Sequence, residues 1–172
     1  MKLMGWVVGA AAIVFGAGCA NAPKPLTDVE RAAIADSVNQ VLTQWLADFS
    51  KAPSAEKWMS AFVPGPDLVH AEYGMIYPTR DSLVTAVRAF LKTVATLNVT
   101  MNQKRLTVLD RDVVVLTTMM NGTFKDAAGK ETPFNEAWMA VYHRTPDGWK
   151  IATDHESTAP PAPAPVRPSR RG

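Results

Sequence analysis

Cysteine is nearly absent from this sequence: one in 172 residues, at position 19. No intramolecular disulfide can form, so any folded body is held without covalent staples. Histidine is almost as scarce, with three residues at positions 70, 143 and 155. Their spacing is not that of metal ligands, so no metal centre is expected. There is no G-x-S-x-G nucleophile turn and no glycine-rich loop opening a helix, which sets aside those hydrolase and phosphate-binding sites and leaves no cofactor implied. Surplus positive charge is also missing from the body. Without Lys2 and the terminal arginines Arg167, Arg170 and Arg171, fourteen basic residues face sixteen acidic ones. The sequence pI near 8.8 therefore reflects the ends, and with no basic stripe a nucleic-acid partner is set aside.

What is present divides into three stretches. Residues 1–22 carry Lys2, an apolar run from Leu3 to Ala20 and a small-residue exit, "FGAGCA", the layout of a secretory signal. Gly5, Gly9, Gly16 and Gly18 break the run, whereas a membrane span needs about 20 predominantly apolar residues. The position of Cys19 is similar to the lipobox of bacterial lipoproteins, in which the cysteine becomes the lipidated mature N-terminus. Gly16 departs from the branched aliphatic residue preferred there, and ordinary cleavage after Ala20 or Ala22 is the competing reading. The expectation is an exported chain in the cell envelope, lipid-anchored to a membrane through Cys19 and facing the periplasm or exterior. Residues 158–172 form a Pro/Ala-rich basic tail expected to be disordered. Residues 23–157 remain as the folded domain.

In that domain "TDVE" at Thr27–Glu30 reads as a capping box. Ile34, Val38, Val41, Leu42, Trp45, Leu46 and Phe49 follow at helical spacing. A short helix after Ser54, short strands around Leu68–Tyr73 and after Gly74, and a third helix capped by Thr79 come next. From Asn98 the apolar period changes to two. Turn signals near 110, 127 and 146 cut the remainder into four long antiparallel strands. The predicted class is α+β: a curved antiparallel sheet, a four-strand meander with short N-terminal strands, wrapped by three helices into a cone.

This order of elements, closed by "GWKIATDHES" at 148–157, resembles the SnoaL-like group of the nuclear transport factor 2-like superfamily. The resemblance spans Thr27 to Ser157, and its specific part is Gly-Trp-Lys-Ile followed by Asp-His-x-Ser. It implies a cone with a pocket at the wide end and a homodimer through the outer sheet face. It also implies a membership that mixes isomerases, dehydratases and cyclases with binding modules. The fold alone does not choose among these.

Alternation in the last strand puts Trp149, Ile151, Thr153, His155 and Ser157 inward and Asp154 and Glu156 outward. A hairpin centred on Pro146–Asp147 then sets Trp138 opposite His155 and makes Glu136 a diagonal neighbour of His155. His155 and Glu136 are the candidate acid/base pair. Trp138, Tyr73, Tyr77 and Tyr142 are candidate ligand-binding walls, and His70 reads as a surface residue. Both faces of 113–120 are apolar, which a second copy of the chain would cover. The leading expectation is a domain that binds a small apolar or amphipathic molecule. The alternatives are an isomerase, cyclase or dehydratase using His155 and Glu136, and a structural dimerisation module.

Overall fold

The computed structural model describes residues 24–66 and 68–158. Cys19 with its leader, and the tail from 159 onward, lie outside the described residues. Helix α1 spans Asp28–Lys51 and starts at the expected capping box: Thr27 Oγ1 accepts from Glu30 N–H, and Glu30 accepts in return from the Thr27 backbone. Such a cap is worth about 1 kcal/mol. Ile34, Val38, Leu42, Trp45 and Phe49 form its buried stripe. Val41, expected on that stripe, is exposed instead. Helix α2, Ala55–Met59, starts at Ser54, and its C-terminal carbonyls at Lys57 and Trp58 accept from the Trp45 indole. Helix α3, Arg80–Thr93, is capped by Thr79 in a second box closed by Ser82.

Six strands follow or interleave: β1 Val69–Glu72, β2 Met75–Tyr77, β3 Val94–Val108, β4 Val113–Asp126, β5 Glu131–Thr145 and β6 Gly148–Thr158. They make one curved, unclosed sheet in the order β2-β1-β6-β5-β4-β3. The α+β arrangement of three helices on a long meander is the one expected. One pairing differs from an all-antiparallel sheet, because β1 lies parallel to β6. Val38 and Leu42 of α1 meet Val114, Leu116, Ala140, Tyr142, Trp149 and Ile151 in the core. The apolar face of α3 behaves differently: only Leu83 is fully buried, and Phe90 remains 43 % exposed. That face looks into a cavity rather than onto packed side chains.

A single extra residue in β6 decides which side chains reach that cavity. Tyr142 pairs with Ile151 and Val141 pairs with Thr153, so Ala152 has no partner across the β5–β6 ladder. Such a bulge bends the strand and shifts its alternation by one. Trp149 and Ile151 before it are buried, and Asp154 and Glu156 after it are buried too, while Thr153 and His155 are exposed. The bulge sits where β6 changes neighbours. Ile151 N–H donates to Ala61 O and its carbonyl accepts from Val63 N–H, whereas from Thr153 onward β6 runs beside β1. The unpaired Ala152 falls at that change of partner.

Gly122 in β4 also matters for the inner face. It lies opposite Val99 and Phe134. A Cβ there would collide with the carbonyl oxygen of Asn98 and sit 2.8 Å from the Phe134 ring. Gly122→Ala is therefore expected to cost about 1–3 kcal/mol through overpacking, read as a lower midpoint in urea unfolding.

Candidate functional site

A cavity of about 230 Å³ lies between α1, α3 and the concave face of the sheet. Its walls are apolar and rich in rings: Trp45 and Phe49 from α1, Trp58 from α2, Phe90 from α3, Phe134 from β5. The helix rings Trp45, Phe49 and Trp58 brace one another, with centroids 4.8 Å apart for Trp45 and Trp58 and 5.1 Å for Phe49 and Trp58. The Trp58 indole N–H is buried without a partner among the described residues.

All of the titratable groups lining the cavity collect at one end: His70 and Glu72 from β1, Tyr73 from the β1–β2 turn, Glu136 from β5 and Glu156 from β6. The parallel pairing of β1 with β6 brings them together, since His70 stands beside Asp154 and Glu72 beside Glu156 in register. His70 is only 2 % exposed, and its Nδ1 donates to Asp154 Oδ1 at 2.8 Å. The other carboxylate oxygen of Asp154 accepts from the Trp138 indole N–H at 3.0 Å. His70 Nε2 lies 3.7 Å from Glu72. Burial opposes a charged imidazole, but the hydrogen bonds to Asp154 and Glu72 and the charges of Asp154 and Glu156 outweigh it, lifting His70 to about 10. The ring is an imidazolium at neutral pH.

Glu156 has the opposite problem. It is 7 % exposed and has no hydrogen-bond partner among the described residues. Burial first, then the charge of Asp154 and, less strongly, those of Glu136 and Glu72, push its carboxyl up to about 8 against the pull of His70. It is a neutral acid at pH 7. Glu136 accepts a hydrogen bond from the Tyr73 phenol. Tyr73 is placed for this by a left-handed backbone, φ 48°, followed by Gly74 at φ 77°. That conformation is uncommon for a bulky residue and is characteristic of a constrained turn. Burial, the Glu136 hydrogen bond and nearby carboxylates hold the Tyr73 phenol above its usual range, so it remains a donor.

The residues singled out from the sequence fall in different places. Glu136 and Tyr73 line the cavity. His155 does not: the Ala152 bulge turns it to the outer face, opposite Met139, and Trp138 pairs with Glu156 instead. Trp138 is 1 % exposed and supports Asp154 from beneath rather than walling the cavity. Tyr77 packs on the His70 ring at 5.5 Å from outside the lining. Tyr142 is buried in the core with its hydroxyl unpartnered among the described residues. His70, read as a surface residue, is the centre of the polar end, and Asp154 and Glu156 join it from the face expected to point outward. The signal for His70 was Leu68, two residues earlier on the same face and fully buried. His155→Ala is accordingly expected to change stability by less than about 0.5 kcal/mol, as for an ordinary surface substitution. A matched His70→Ala unfolding curve should show a far larger loss.

The solved structures agree on the architecture. A Salmonella enterica protein of the nuclear transport factor 2-like superfamily superposes with a TM-score of 0.67 at 13 % identity, over 79 % of this chain and 98 % of that one. The chain has the nuclear transport factor 2-like fold. A ketosteroid isomerase-like protein from Erwinia carotovora atroseptica shares this fold at TM-score 0.62 and 18 % identity, over 74 % and 97 % of the two chains. A Xanthomonas campestris chain, provisionally assigned as a calcium/calmodulin dependent protein kinase II association domain, matches at TM-score 0.62 and 21 % identity. It covers 72 % of this chain and 86 % of its own. Residues 85–160 also match the family model of that association domain. No curated protein matches the sequence.

On this fold, the concave face combines a proton donor held charged by Asp154, a neutral acid and a carboxyl held by a phenol. All three sit at the end of an otherwise apolar space. Such a set can orient one polar group of an apolar molecule, or move a proton to or from it.

Proposed function

We propose that the chain is a small-molecule domain that takes a compact, largely apolar ligand into the cavity and holds its one polar group at His70, Glu136 and Glu156. The observation that carries this reading is the segregation of the cavity: ring-bearing walls from the three helices, β4 and β5, and all of its titratable lining gathered where β1, β5 and β6 meet. Apolar area supplies affinity and the few convergent polar groups supply orientation. The test is a tryptophan-fluorescence titration, because Trp45 and Trp58 both line the cavity. Small aromatic alcohols should shift the emission saturably, and Val87→Trp, which fills the space from α3, should abolish the response while leaving the far-ultraviolet circular dichroism unchanged. A response unaltered by filling the cavity would contradict the reading.

The buried His70–Asp154 pair favours a second reading, an isomerase- or dehydratase-type enzyme. Similarity in fold to the ketosteroid isomerase-like protein is consistent with it. In such a step Glu136 would take a proton from carbon beside a carbonyl, and the His70 imidazolium would donate to the enolate oxygen as it gains charge. His70→Gln and Glu136→Gln would then each abolish turnover, with the apolar walls still taking up the alcohols at reduced affinity.

Export and anchoring through Cys19 belong to the same proposal and rest on the N-terminal pattern. Intact-mass analysis of envelope-extracted protein would show a lipidated Cys19 as the first residue, or overturn it with an unmodified chain. Pairing of two copies over the outer sheet face is supported by exposed Met139 at its centre, 46 % exposed, and is tested by light scattering of the purified chain.

A further inference from the structure

We infer that the cavity selects an amphipathic monocation, a small aromatic or aliphatic body bearing one ammonium group that seats between Glu136 and Glu156. This inference rests on the small-molecule reading above and names the class of molecule. Three acidic side chains, Glu72, Glu136 and Glu156, line the polar end, and no lysine or arginine lines the cavity among the described residues. The one basic group, His70, is already engaged by Asp154 at 2.8 Å and Glu72 at 3.7 Å. It has little charge left to offer an anionic ligand. Glu156, more than nine-tenths buried and without a hydrogen-bond partner among the described residues, is a carboxyl free to give up its proton and accept from a bound ammonium.

The sheet register brings the two acceptors within reach of one group. Glu156 pairs with Trp138 and Glu136 pairs with Thr158, so the two glutamates are diagonal neighbours on one face, about 7–8 Å apart at the backbone. An ammonium has three donors and can bridge both carboxyls. The rest of the lining suits the other half of such a molecule. Trp45, Phe49, Trp58, Phe90 and Phe134 present rings that bury an apolar body and attract a nearby cation through their faces.

The groups facing Glu156 also make binding depend on pH. They are His70, Glu72 and Tyr73 from β1 and its turn, Glu136 from β5, and Asp154 on its own strand, with the Tyr142 phenol close behind Asp154. The helices, β3 and β4 contribute only apolar side chains to the lining. In the empty cavity Glu156 keeps its proton up to about pH 8. A bound ammonium favours the ionised form, so binding at neutral pH expels that proton. Affinity should rise about tenfold per pH unit below 8 and level off above it.

The test is isothermal titration calorimetry of the full chain with three probes of one shape: 4-phenylbutylamine, 4-phenylbutanol and 4-phenylbutyrate. At pH 8.5 the amine is expected to bind at least about tenfold tighter than the alcohol, and the carboxylate weakest. At pH 6.5 the advantage should shrink, with proton release visible as a dependence of heat on buffer. Glu156→Gln should remove most of the amine's advantage, lowering the amine's affinity far more than the alcohol's. An alcohol that binds as tightly as the amine, or a carboxylate that binds best, overturns the cation inference and leaves the small-molecule reading standing. Failure of all three probes overturns both.

Discussion

Asp154→Ala is expected to remove about 3–5 kcal/mol of stability, the range for breaking a buried charge pair by deleting one partner. Asp154 is 4 % exposed and holds two buried donors at once, the His70 imidazole and the Trp138 indole. Alanine leaves both buried donors without their acceptor. The loss should appear as a lower urea midpoint with an unchanged slope. Removing the histidine as well is informative: His70→Phe in the Asp154→Leu background is expected to recover most of the loss, since replacing a buried pair by apolar groups is often neutral or better. A double variant as unstable as Asp154→Ala would mean that packing, not charge, makes the site fragile.

Glu156→Gln should do the reverse and stabilise the chain by about 3 kcal/mol at pH 7, with no gain at pH 4. The sign follows from the direction of the shift. Glu156 is raised from 4.5 to about 8 in the fold, so its contribution is fully present below 4.5 and is lost as pH rises through 8. Between those values the unfolded chain releases a proton that the folded one retains, and stability falls by about 1.4 kcal/mol per pH unit. Glutamine has no proton to hold, so the variant escapes that decline. His70 adds a second decline at higher pH. Raised from 6.5 to about 10, it contributes fully below 6.5 and is lost as pH rises through 10. Urea midpoints across pH 5.5 to 9.5 should therefore fall toward alkali in the parent chain, and later and less in Glu156→Gln. A parent midpoint that rises from pH 5 to 8 would show that Glu156 is not the neutral acid described.

Local rules made much of this fold readable. The capping box at Thr27, the N-cap at Thr79, the spacing of Ile34, Val38, Leu42, Trp45 and Phe49, and the turn residues near 110, 127 and 146 each act within a few residues. Each appears in the structure where the sequence puts it. The face of β5 was equally plain, because Glu136, Trp138, Ala140 and Tyr142 alternate without interruption and all four are buried. The site was lost at Ala152. Nothing in "KIATD" signals a bulge, since it falls where β6 passes between two distant neighbours, the 61–63 segment and β1. One unpaired residue exchanged His155 for Asp154 and Glu156 on the inner face. His70 was set aside because strict alternation puts it on the face opposite Tyr73, and the left-handed backbone at Tyr73 breaks that alternation so that both reach the cavity. The burial of His70 follows from the parallel seat of β1 beside β6, a contact across 84 residues of chain.

The central claim is that the polar end of the cavity is built on His70 and Asp154 and not on His155. It is tested most directly by a proton-detected NMR titration of the histidine ring signals of the full chain from pH 5 to 10.5. One imidazole, missing from the His70→Gln spectrum, should stay charged beyond pH 8 and titrate near 10, and Asp154→Asn should bring it down by more than one pH unit. If instead the His70 signal has titrated fully by pH 7.5, or is unmoved by Asp154→Asn, the buried pair does not exist and the site described here is wrong.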